Sequence, residues 1–465
     1  MDIVRRRRMK EHEKRDNTLM TSGTIWKQIL FFAIPLILGN LFQQLYSMVD
    51  AIIVGNFVGP NALAAVGSSM TLINLIIGFF IGAAAGSGVV TSQFYGAGND
   101  EGVRKAVHTT LAISIIGGII LSVAGVLIAP WLLRVINTPD EVYDQAKNYL
   151  QIFFAGIFFS IIYNMSAGIL NAVGNSRKSL HFLIIATLSN IVLDLVFVAL
   201  LKTGVGGAAV ATDISQGISC FFILRYMRKV DASYRVTLKD IRFYDNLAGK
   251  IIKIGLPTGI QNIVISLSNV VVQAGINGFG ASVMASFAAL GNIDGFIILP
   301  ILSMSMAATT FSGQNYGAGQ MDRIKKGTRT SILMACGYAI VAGCVMLIVG
   351  PFIIRIFTQD QTVIHYAVFM MRIMYPFYWL LGIFHVAVGT IRGVGKTFQA
   401  MVMSLVALCA ARILWIWITS KIAHSLLLLI ACYPVTWILG AVIAFVYIKW
   451  AKWLVPPEAD ELECL

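Results

Sequence analysis

The sequence predicts an all-α integral membrane protein with twelve transmembrane helices in two six-helix lobes, related by a pseudo-two-fold axis along the membrane normal. Three observations support this fold class. Of the 465 residues, 57% are hydrophobic and only 12% are charged, whereas a soluble globular chain has roughly 25% charged residues. Apolar runs long enough to cross a bilayer recur along the whole chain. The second half of the sequence also repeats the first.

Each apolar run is long enough to cross a hydrocarbon core of about 30 Å as a helix that rises about 1.5 Å per residue. Because lipid offers no hydrogen-bond partners to the backbone, such runs must be helical. The first run is too long for the apolar core of a signal peptide, so we expect it to remain as a span. The predicted spans are 25–56, 61–92, 103–129, 141–170, 179–201, 206–229, 247–277, 282–313, 324–350, 362–391, 398–420 and 424–450.

The formal net charge is +13, and most of the basic residues lie on alternate loops between the predicted spans. By the positive-inside rule this pattern places both termini in the cytoplasm. The run Arg5–Arg8 precedes the first span, where basic residues anchor topology and meet anionic lipid. We therefore expect a multi-pass protein of the plasma membrane whose partner is the lipid bilayer, with no nucleic-acid partner.

An unusual string occurs twice, as QFYGAG at Gln93–Gly98 and as QNYGAG at Gln314–Gly319. We interpret both copies as loops between spans. Their tyrosines are 221 residues apart (316 − 95). The same spacing relates Gly59 to Gly280, Pro130 to Pro351 and Gly174 to Gly395, and after one gap a spacing of 222 relates Pro35 to Pro257. The chain is therefore interpreted as a tandem duplication of a six-span unit.

The duplication predicts five segments. They are a basic cytoplasmic tail at 1–24, an N-lobe at 25–229, a cytoplasmic linker at 230–246, a C-lobe at 247–451 and a cytoplasmic tail at 452–465. Because six is an even number, both copies insert with the same orientation, and an axis along the membrane normal relates them. Two parallel lobes with a cavity between them permit alternating access, which points to a transporter.

Few sequence features suggest what drives transport. The stretch GTIRGVGKT at Gly389–Thr397 resembles a P-loop, but Thr390 stands where that motif needs glycine and no strand precedes it. Clustered residues for catalysis at one depth are not evident, so we do not expect an enzyme. We expect an ion gradient to be the energy source, with H⁺ or Na⁺ as the coupling ion and no cofactor.

Two carboxylates within the predicted spans are candidates for ion coupling, because charged groups are costly there. Asp50 in span 1 and Asp194 in span 5 fall at a similar depth in the outer half, as does Thr212 in span 6. Tyr46 and Asn190 each precede one of these acids by four residues and share its helix face. Such a pair can exchange a proton or enclose Na⁺. The alternative is that these polar groups only join helices, and that alternative is favoured for Asp213.

The C-lobe lacks an equivalent acid pair, since Val271 or Val272 and Trp415 stand at the matching positions. It contains Asp294 and Arg412 instead, which we interpret as an interhelical ion pair. Separately, two prolines interrupt the first helix of each copy and are predicted to kink spans 1 and 7, either as passive bends or as hinges. These are Pro35 and Pro257.

The stretch IPLILGNLFQQLYSMVDAIIVGNFVGPNALAAVG, the two repeated strings and NIVLDLVFV together resemble the multidrug and toxic compound extrusion (MATE) transporters. The resemblance extends from about Ile25 to Lys452. It implies a twelve-span, two-lobe exporter that exchanges amphipathic, often cationic, organic compounds for inward H⁺ or Na⁺. We expect the protein to be a monomer whose substrates are small and drug-like. The resemblance also implies a cation site lined by Asp50, Asp194, Asn190, Tyr46, Thr212 and Asn164.

One departure from the family pattern favours the N-lobe as the site of coupling. Some branches of the family carry an acidic residue in span 7, whereas span 7 here has none. A flippase for a lipid-linked precursor has a related two-lobe plan and is the alternative function. A flippase is expected to have a basic cavity, and here only Arg372 and Arg412 lie within spans.

Overall fold

A computed structural model gives the fold, and the structure describes residues 19–244, 246–451 and 453–456. Every regular element within these residues is helical, and twelve helices are long and apolar enough to cross a membrane. The predicted all-α membrane fold with twelve spans is confirmed. The helices are α1 Ile25–Phe57, α2 Pro60–Ala97, α3 Asp100–Val135, α4 Asp140–Ala172, α5 Ser176–Leu200, α6 Gly204–Lys229, α7 Leu247–Asn277, α8 Ala281–Gly317, α9 Met321–Phe357, α10 Gln361–Gly393, α11 Thr397–Ile422 and α12 Leu426–Trp450.

Three helices contain irregular turns that hydropathy did not predict. The end of α5 is π-helical over Leu195–Leu200, and α11 contains a second π-helical segment at Leu405–Ala410. A 3₁₀ turn interrupts α10 at Tyr375–Phe377. Such turns shift the side chains that follow them around the helix axis, so the simple helical period no longer predicts which face they occupy.

Large apolar side chains cover the outer surface of the helices. Leu127 in α3 is 74% exposed and Ile348 in α9 is 71% exposed. In water, each exposed apolar side chain of this size would cost about 1.5–3 kcal/mol relative to burial. The exposed apolar surface therefore fits lipid as the surrounding medium.

The repeated string forms the end of one helix and the turn that follows it, and it is not a separate loop. Residues Gln93–Ala97 form the last turn of α2, and Gly98 follows with a left-handed φ of 75°. The Gly98 amide donates to the Tyr95 carbonyl oxygen at 3.3 Å, while the Asn99 side chain accepts from the Gly102 amide at 2.8 Å and caps α3. Glycine adopts this φ without steric cost, so the string provides a tight turn between two spans.

The second copy of the string also ends in a left-handed glycine. Gly319 has a φ of 69°, close to that of Gly98. Left-handed glycines also recur at two further matched pairs of helix ends, namely Gly59 with Gly280 and Gly174 with Gly395. The duplication seen in the sequence is thus also present in the backbone geometry of the turns.

The first compact unit consists mainly of Pro35–Gly259, with α4 at its centre. The beginning of α7 packs on α2 in this unit, because Gly86 lets the backbone of Gly255 approach closely. The linker that precedes α7 is held against α3 by an ion pair and two hydrogen bonds. Asp240 pairs with Arg104, the Thr237 amide donates to His108 Nε2 at 3.0 Å, and the Tyr244 amide donates to Thr109 Oγ1 at 3.3 Å.

The second compact unit consists of Met20–Ile34 and the chain from Ile260 onward. Its core includes Tyr378, Phe384 and Trp437. The segment Met20–Gly23, here named the N-terminal strap, is fastened to the α8–α9 turn. The Met20 amide donates to Gln314 Oε1 at 2.8 Å, and Asn315 Nδ2 donates to the Met20 carbonyl oxygen at 3.1 Å.

These units differ from the predicted lobes 25–229 and 247–451, which were separated at the linker. The division falls inside two helices, between Ile34 and Pro35 in α1 and between Gly259 and Ile260 in α7. The cause lies in the contacts just described. The strap holds the beginning of α1 in the second unit, while the glycine contact and the linker hold the beginning of α7 in the first.

Candidate functional site

The first unit places the two predicted acids together in its interior. Asp50 on α1 is 2% exposed and Asp194 on α5 is 0% exposed. Their carboxyl groups lie within hydrogen-bonding reach of each other. No hydrogen bond joins the two groups among the described residues, because an ionised carboxyl oxygen is only an acceptor, and a proton or a cation between them would supply the missing positive partner. The geometry therefore provides a site for one positive charge.

Thr212 on α6 joins the two helices that carry the acids. The Tyr46 hydroxyl lies 3.0 Å from Thr212 Oγ1, and Asn190 Nδ2 donates to the same oxygen at 3.4 Å. Tyr46 and Asn190 precede Asp50 and Asp194 by four residues on α1 and α5, so each pair occupies one helix face. The structure thus brings together five of the six residues predicted to line a cation site.

Several buried oxygen atoms of this cluster have no hydrogen-bond donor within the described residues. They are Asp50 Oδ1, Asn190 Oδ1, Asp194 Oδ1 and Asp194 Oδ2. An acceptor that is buried without a donor costs about 1–3 kcal/mol, and more when it is charged. Converging acceptors without donors fit a proton or Na⁺, since both provide the positive partner that the protein does not.

The local helix geometry and one neighbour of the cluster, Tyr149, were missed from the sequence. Asp194 is followed directly by the π-helical turn Leu195–Leu200. Tyr149 on α4 is 1% exposed and lies within electrostatic range of both acids. Asp213, next to Thr212, is hydrogen-bonded to the Gly156 backbone. A tyrosine in an apolar span is typical of packing, so only its position beside the acids identifies Tyr149 as part of the site.

The sixth predicted residue, Asn164 on α4, lies apart from the cluster. Its side chain donates to the Ser160 carbonyl oxygen of its own helix at 2.8 Å. It also lines a small cavity of about 10 Å³ with Ile77, Phe80 and Ile157, which is about the volume that one water molecule needs. No hydrogen bond joins Asn164 to the other five residues within the part of the chain that the structure describes.

The two predicted hinge prolines lie inside their helices, at or near the positions where the compact units divide. Pro35 is the first residue of α1 that belongs to the first unit, and Pro257 on α7 is two residues before the end of that unit at Gly259. Proline removes a helix hydrogen bond and weakens the helix locally. The helices are therefore weakest near the points at which they pass from one unit to the other.

The predicted ion pair between Asp294 and Arg412 is wrong. No ion pair within 4.0 Å joins them among the described residues. Asp294 contacts the hydroxyl groups of Tyr375 and Tyr378 on α10 instead. Arg412 donates to Asn269 Oδ1 at 2.9 Å and lies 4.8 Å from the ring centre of Tyr433. Neutral polar groups and an aromatic ring surround the two side chains, while Asp294 Oδ1 and Arg412 Nε have no hydrogen-bond partner within the described residues.

The chain is similar to known proteins over most of its length. The family model described as MatE matches residues 35–196 and, a second time, residues 257–418. YoeA of Bacillus subtilis, described as a probable multidrug resistance protein, is 28% identical over 441 residues, which cover 89% of this chain and 94% of that protein. NorM of Thermotoga maritima, with the same description, is 26% identical over 401 residues, which cover 84% of each chain.

Solved structures of the same fold also match. A multidrug resistance MATE family transporter of the MOP superfamily in an outward-facing conformation has a TM-score of 0.87 at 23% identity, covering 92% of this chain and 96% of that one. A MOP superfamily transporter from Pyrococcus furiosus, reported to have a binding pocket of reverse polarity, has a TM-score of 0.86 at 23% identity, with coverages of 92% and 96%. At this identity the similarity establishes the fold, with two lobes of six spans.

Proposed function

Because this chain belongs to the MatE family of multidrug efflux transporters, we propose that it exports amphipathic or cationic organic compounds in exchange for H⁺ or Na⁺, through alternating access of its two lobes. We place it in the plasma membrane as a monomer with both termini in the cytoplasm. Its partners are then drug-like molecules, the coupling ion and the bilayer, and it needs no cofactor beyond that ion.

The observation that carries this proposal is the acceptor cluster of the first unit. Asp50 and Asp194 are both buried in this unit, and three of their four carboxyl oxygens have no hydrogen-bond partner within the described residues. A carboxylate at membrane depth costs about 2.5–3.5 kcal/mol on insertion scales. A bound H⁺ or Na⁺ removes much of this cost, so the occupied cluster can close within apolar surroundings while the empty cluster favours access to water.

This dependence on occupancy links the ion to the conformation. The ion shifts the balance between the two access states only by its difference in affinity for them. Tyr46 and Asn190 meet at Thr212, so a change at the acids is transmitted to α6 through hydrogen bonds. Movement of α1 then requires a bend within the helix, and Pro35 is the position at which α1 bends most easily.

The electrical energy of the ion is sufficient for a neutral substrate. One charge that moves inward across about 100 mV releases roughly 2.3 kcal/mol, which supports about a fiftyfold concentration ratio. Exchange of a monovalent cation for a single ion moves no net charge, so only the concentration gradient of the ion contributes. We therefore infer that export of cationic substrates favours two ions in each cycle.

The test is transport by purified protein in proteoliposomes, with ethidium or a fluoroquinolone as substrate and an imposed pH or Na⁺ gradient. We expect one of the two gradients to drive uptake in the wild type. Asp50→Asn and Asp194→Asn should each abolish this coupled transport, because an amide cannot bind the ion as a carboxylate does. Both variants should still fold, since asparagine preserves the shape of the side chain.

Asp213→Asn is the matched control. Asp213 is also a carboxylate on a span of the first unit, but its partner is the Gly156 backbone instead of the acid pair. We expect this variant to retain gradient-driven transport. Full transport by Asp50→Asn, or equal loss in all three variants, would remove the acid pair as the coupling site.

A further inference from the structure

We propose that the second unit carries a binding site for the phosphate-bearing headgroup of an anionic phospholipid. The site is an open cavity of about 770 Å³ between the start of α1 and the α8–α9 turn. Its walls include Trp26, Arg323, Lys326 and Thr330. These residues all belong to one compact unit.

The cavity carries a net positive charge that the described residues do not neutralise. Arg323 donates to the carbonyl oxygens of Ser22 and Gly23, each at 2.9 Å, and to Gln28 Oε1 at 2.8 Å, all of which are uncharged acceptors. Lys326 is exposed and has no ion pair within 4.0 Å among the described residues. The one acid of the lining, Asp322, pairs with Lys325 at 3.4 Å. An anion in the cavity would therefore meet two positive charges.

The duplication shows what fills the equivalent place in the first unit. Subtracting 221 residues relates Lys325 to Arg104 and Thr330 to Thr109. There the linker covers the basic residues, because Asp240 pairs with Arg104 and the Tyr244 amide donates to Thr109 Oγ1 at 3.3 Å. The chain thus provides its own carboxylate in the first unit. In the second unit the strap provides only neutral acceptors to Arg323, and Lys325, the equivalent of Arg104, pairs with Asp322 of its own helix instead of with a carboxylate of the strap.

The position of the cavity favours a lipid over a soluble anion. It lies where α1, α8 and α9 begin or end, which is the level of the headgroups for helices that cross a bilayer. Trp26 is 48% exposed at the cavity wall, and tryptophan is enriched at the membrane interface. Basic pockets between membrane helices bind anionic headgroups through the charge of the phosphate. With the termini in the cytoplasm, the lipid would come from the cytoplasmic leaflet.

The experiment titrates full-length protein in detergent with dioleoyl phosphatidylglycerol and counts bound lipids by native mass spectrometry. Removing one lysine near an anionic headgroup should weaken binding about fivefold. We therefore expect Lys326→Gln to weaken the tightest phosphatidylglycerol adduct by about this factor. Lys326→Arg should retain it, because the positive charge is kept. Binding of dioleoyl phosphatidylcholine should be the same in all variants.

Lys105→Gln is the control at the equivalent position of the first unit, where the lysine pairs with Glu101 at 3.0 Å. We expect this variant to bind phosphatidylglycerol like the wild type. Equal affinity of the wild type and Lys326→Gln would overturn the proposal. Competition by water-soluble glycerol phosphate as strong as that by the lipid would also overturn it, because it would indicate a site for free phosphate.

Discussion

The hydroxyl group of Thr212 is the smallest part of the cation cluster that connects all three of its helices. It accepts from Asn190 Nδ2 and is bonded to the Tyr46 hydroxyl. Tyr46 lies on the same face of α1 as Asp50, and Asn190 lies on the same face of α5 as Asp194. The two hydrogen bonds to Thr212 therefore connect the faces that carry the two acids. Thr212 is therefore best understood as a positioning residue that fixes the distance between the α1 and α5 faces.

Thr212→Val tests this role, because valine keeps the shape of threonine and removes the hydroxyl. Two buried polar groups lose their shared partner, and each unsatisfied group costs about 1–3 kcal/mol. We expect a lower melting temperature of the purified protein and weaker dependence of transport on the coupling ion. Thr212→Ser keeps the hydroxyl and should behave like the wild type. Unchanged ion dependence in Thr212→Val would contradict the role.

Much of this site could be predicted from single residues, and the limits have physical reasons. The spacing of four residues between Tyr46 and Asp50, and between Asn190 and Asp194, is a property of one helix and is visible in the sequence. The contact that brings α1 and α5 together at Thr212 is not visible in the sequence. Counting residues from span ends predicted an ion pair of Asp294 with Arg412, but the π-helical segment just before Arg412 alters the direction of its side chain.

At the scale of elements, the contact between α2 and the start of α7 depends on two glycines. A Cβ atom on Gly86 would lie 2.5 Å from the Gly255 amide nitrogen, and one on Gly82 would lie 2.2 Å from the Gly259 amide nitrogen. Real Cβ atoms do not approach backbone atoms this closely, so any larger residue must push the helices apart. The two glycines therefore permit close packing of α2 against the start of α7.

Gly86→Ala should therefore destabilise the protein, and Gly88→Ala on the same helix is its matched control. A Cβ atom on Gly88 meets nothing nearer than 3.6 Å, which is ordinary contact. Overpacking costs about 1–3 kcal/mol, so we expect only Gly86→Ala to lower the melting temperature of the purified protein by several degrees. Equal melting temperatures of the two variants would mean that α7 does not rest on α2 as described.

The number and type of elements could be predicted because hydropathy depends on composition over about 20 residues. The ends of the helices could not be predicted in this way, because they depend on single hydrogen bonds. The second predicted span stopped at residue 92, while α2 continues to Ala97 through Gln93 and Tyr95. These polar residues look like a loop in the sequence. The left-handed Gly98 ends the helix, and it lies six residues after the predicted end at residue 92 (98 − 92).

At the scale of the whole molecule, α1 and α7 are the two helices that the division into compact units cuts. Any relative movement of the units must be taken up within these helices or in the connections between units. Pro35 stands at the division in α1, and Pro257 stands close to that in α7.

Pro35→Ala and Pro257→Ala should slow transport while leaving the protein folded. Alanine in place of a helix-interior proline favours a straight helix by about 3 kcal/mol. If only about 1.4 kcal/mol of this enters the switching barrier, turnover falls about tenfold. Substrate flux in proteoliposomes measures the turnover. Pro130→Ala removes a proline inside α3, away from the division, and should leave turnover unchanged. Wild-type turnover in Pro35→Ala and Pro257→Ala would mean that the prolines only shape the helices.

The strap also has a consequence for biosynthesis. Met20 and Gln314, which it joins, are 294 residues apart in the chain. At about 5–20 residues per second, a ribosome needs roughly 15–60 s to make the intervening stretch. The strap therefore cannot form its hydrogen bond to Gln314 until that residue has been synthesised. Assembly of the two halves therefore cannot be strictly sequential, because the strap can be held in place only after its distant partner has been made.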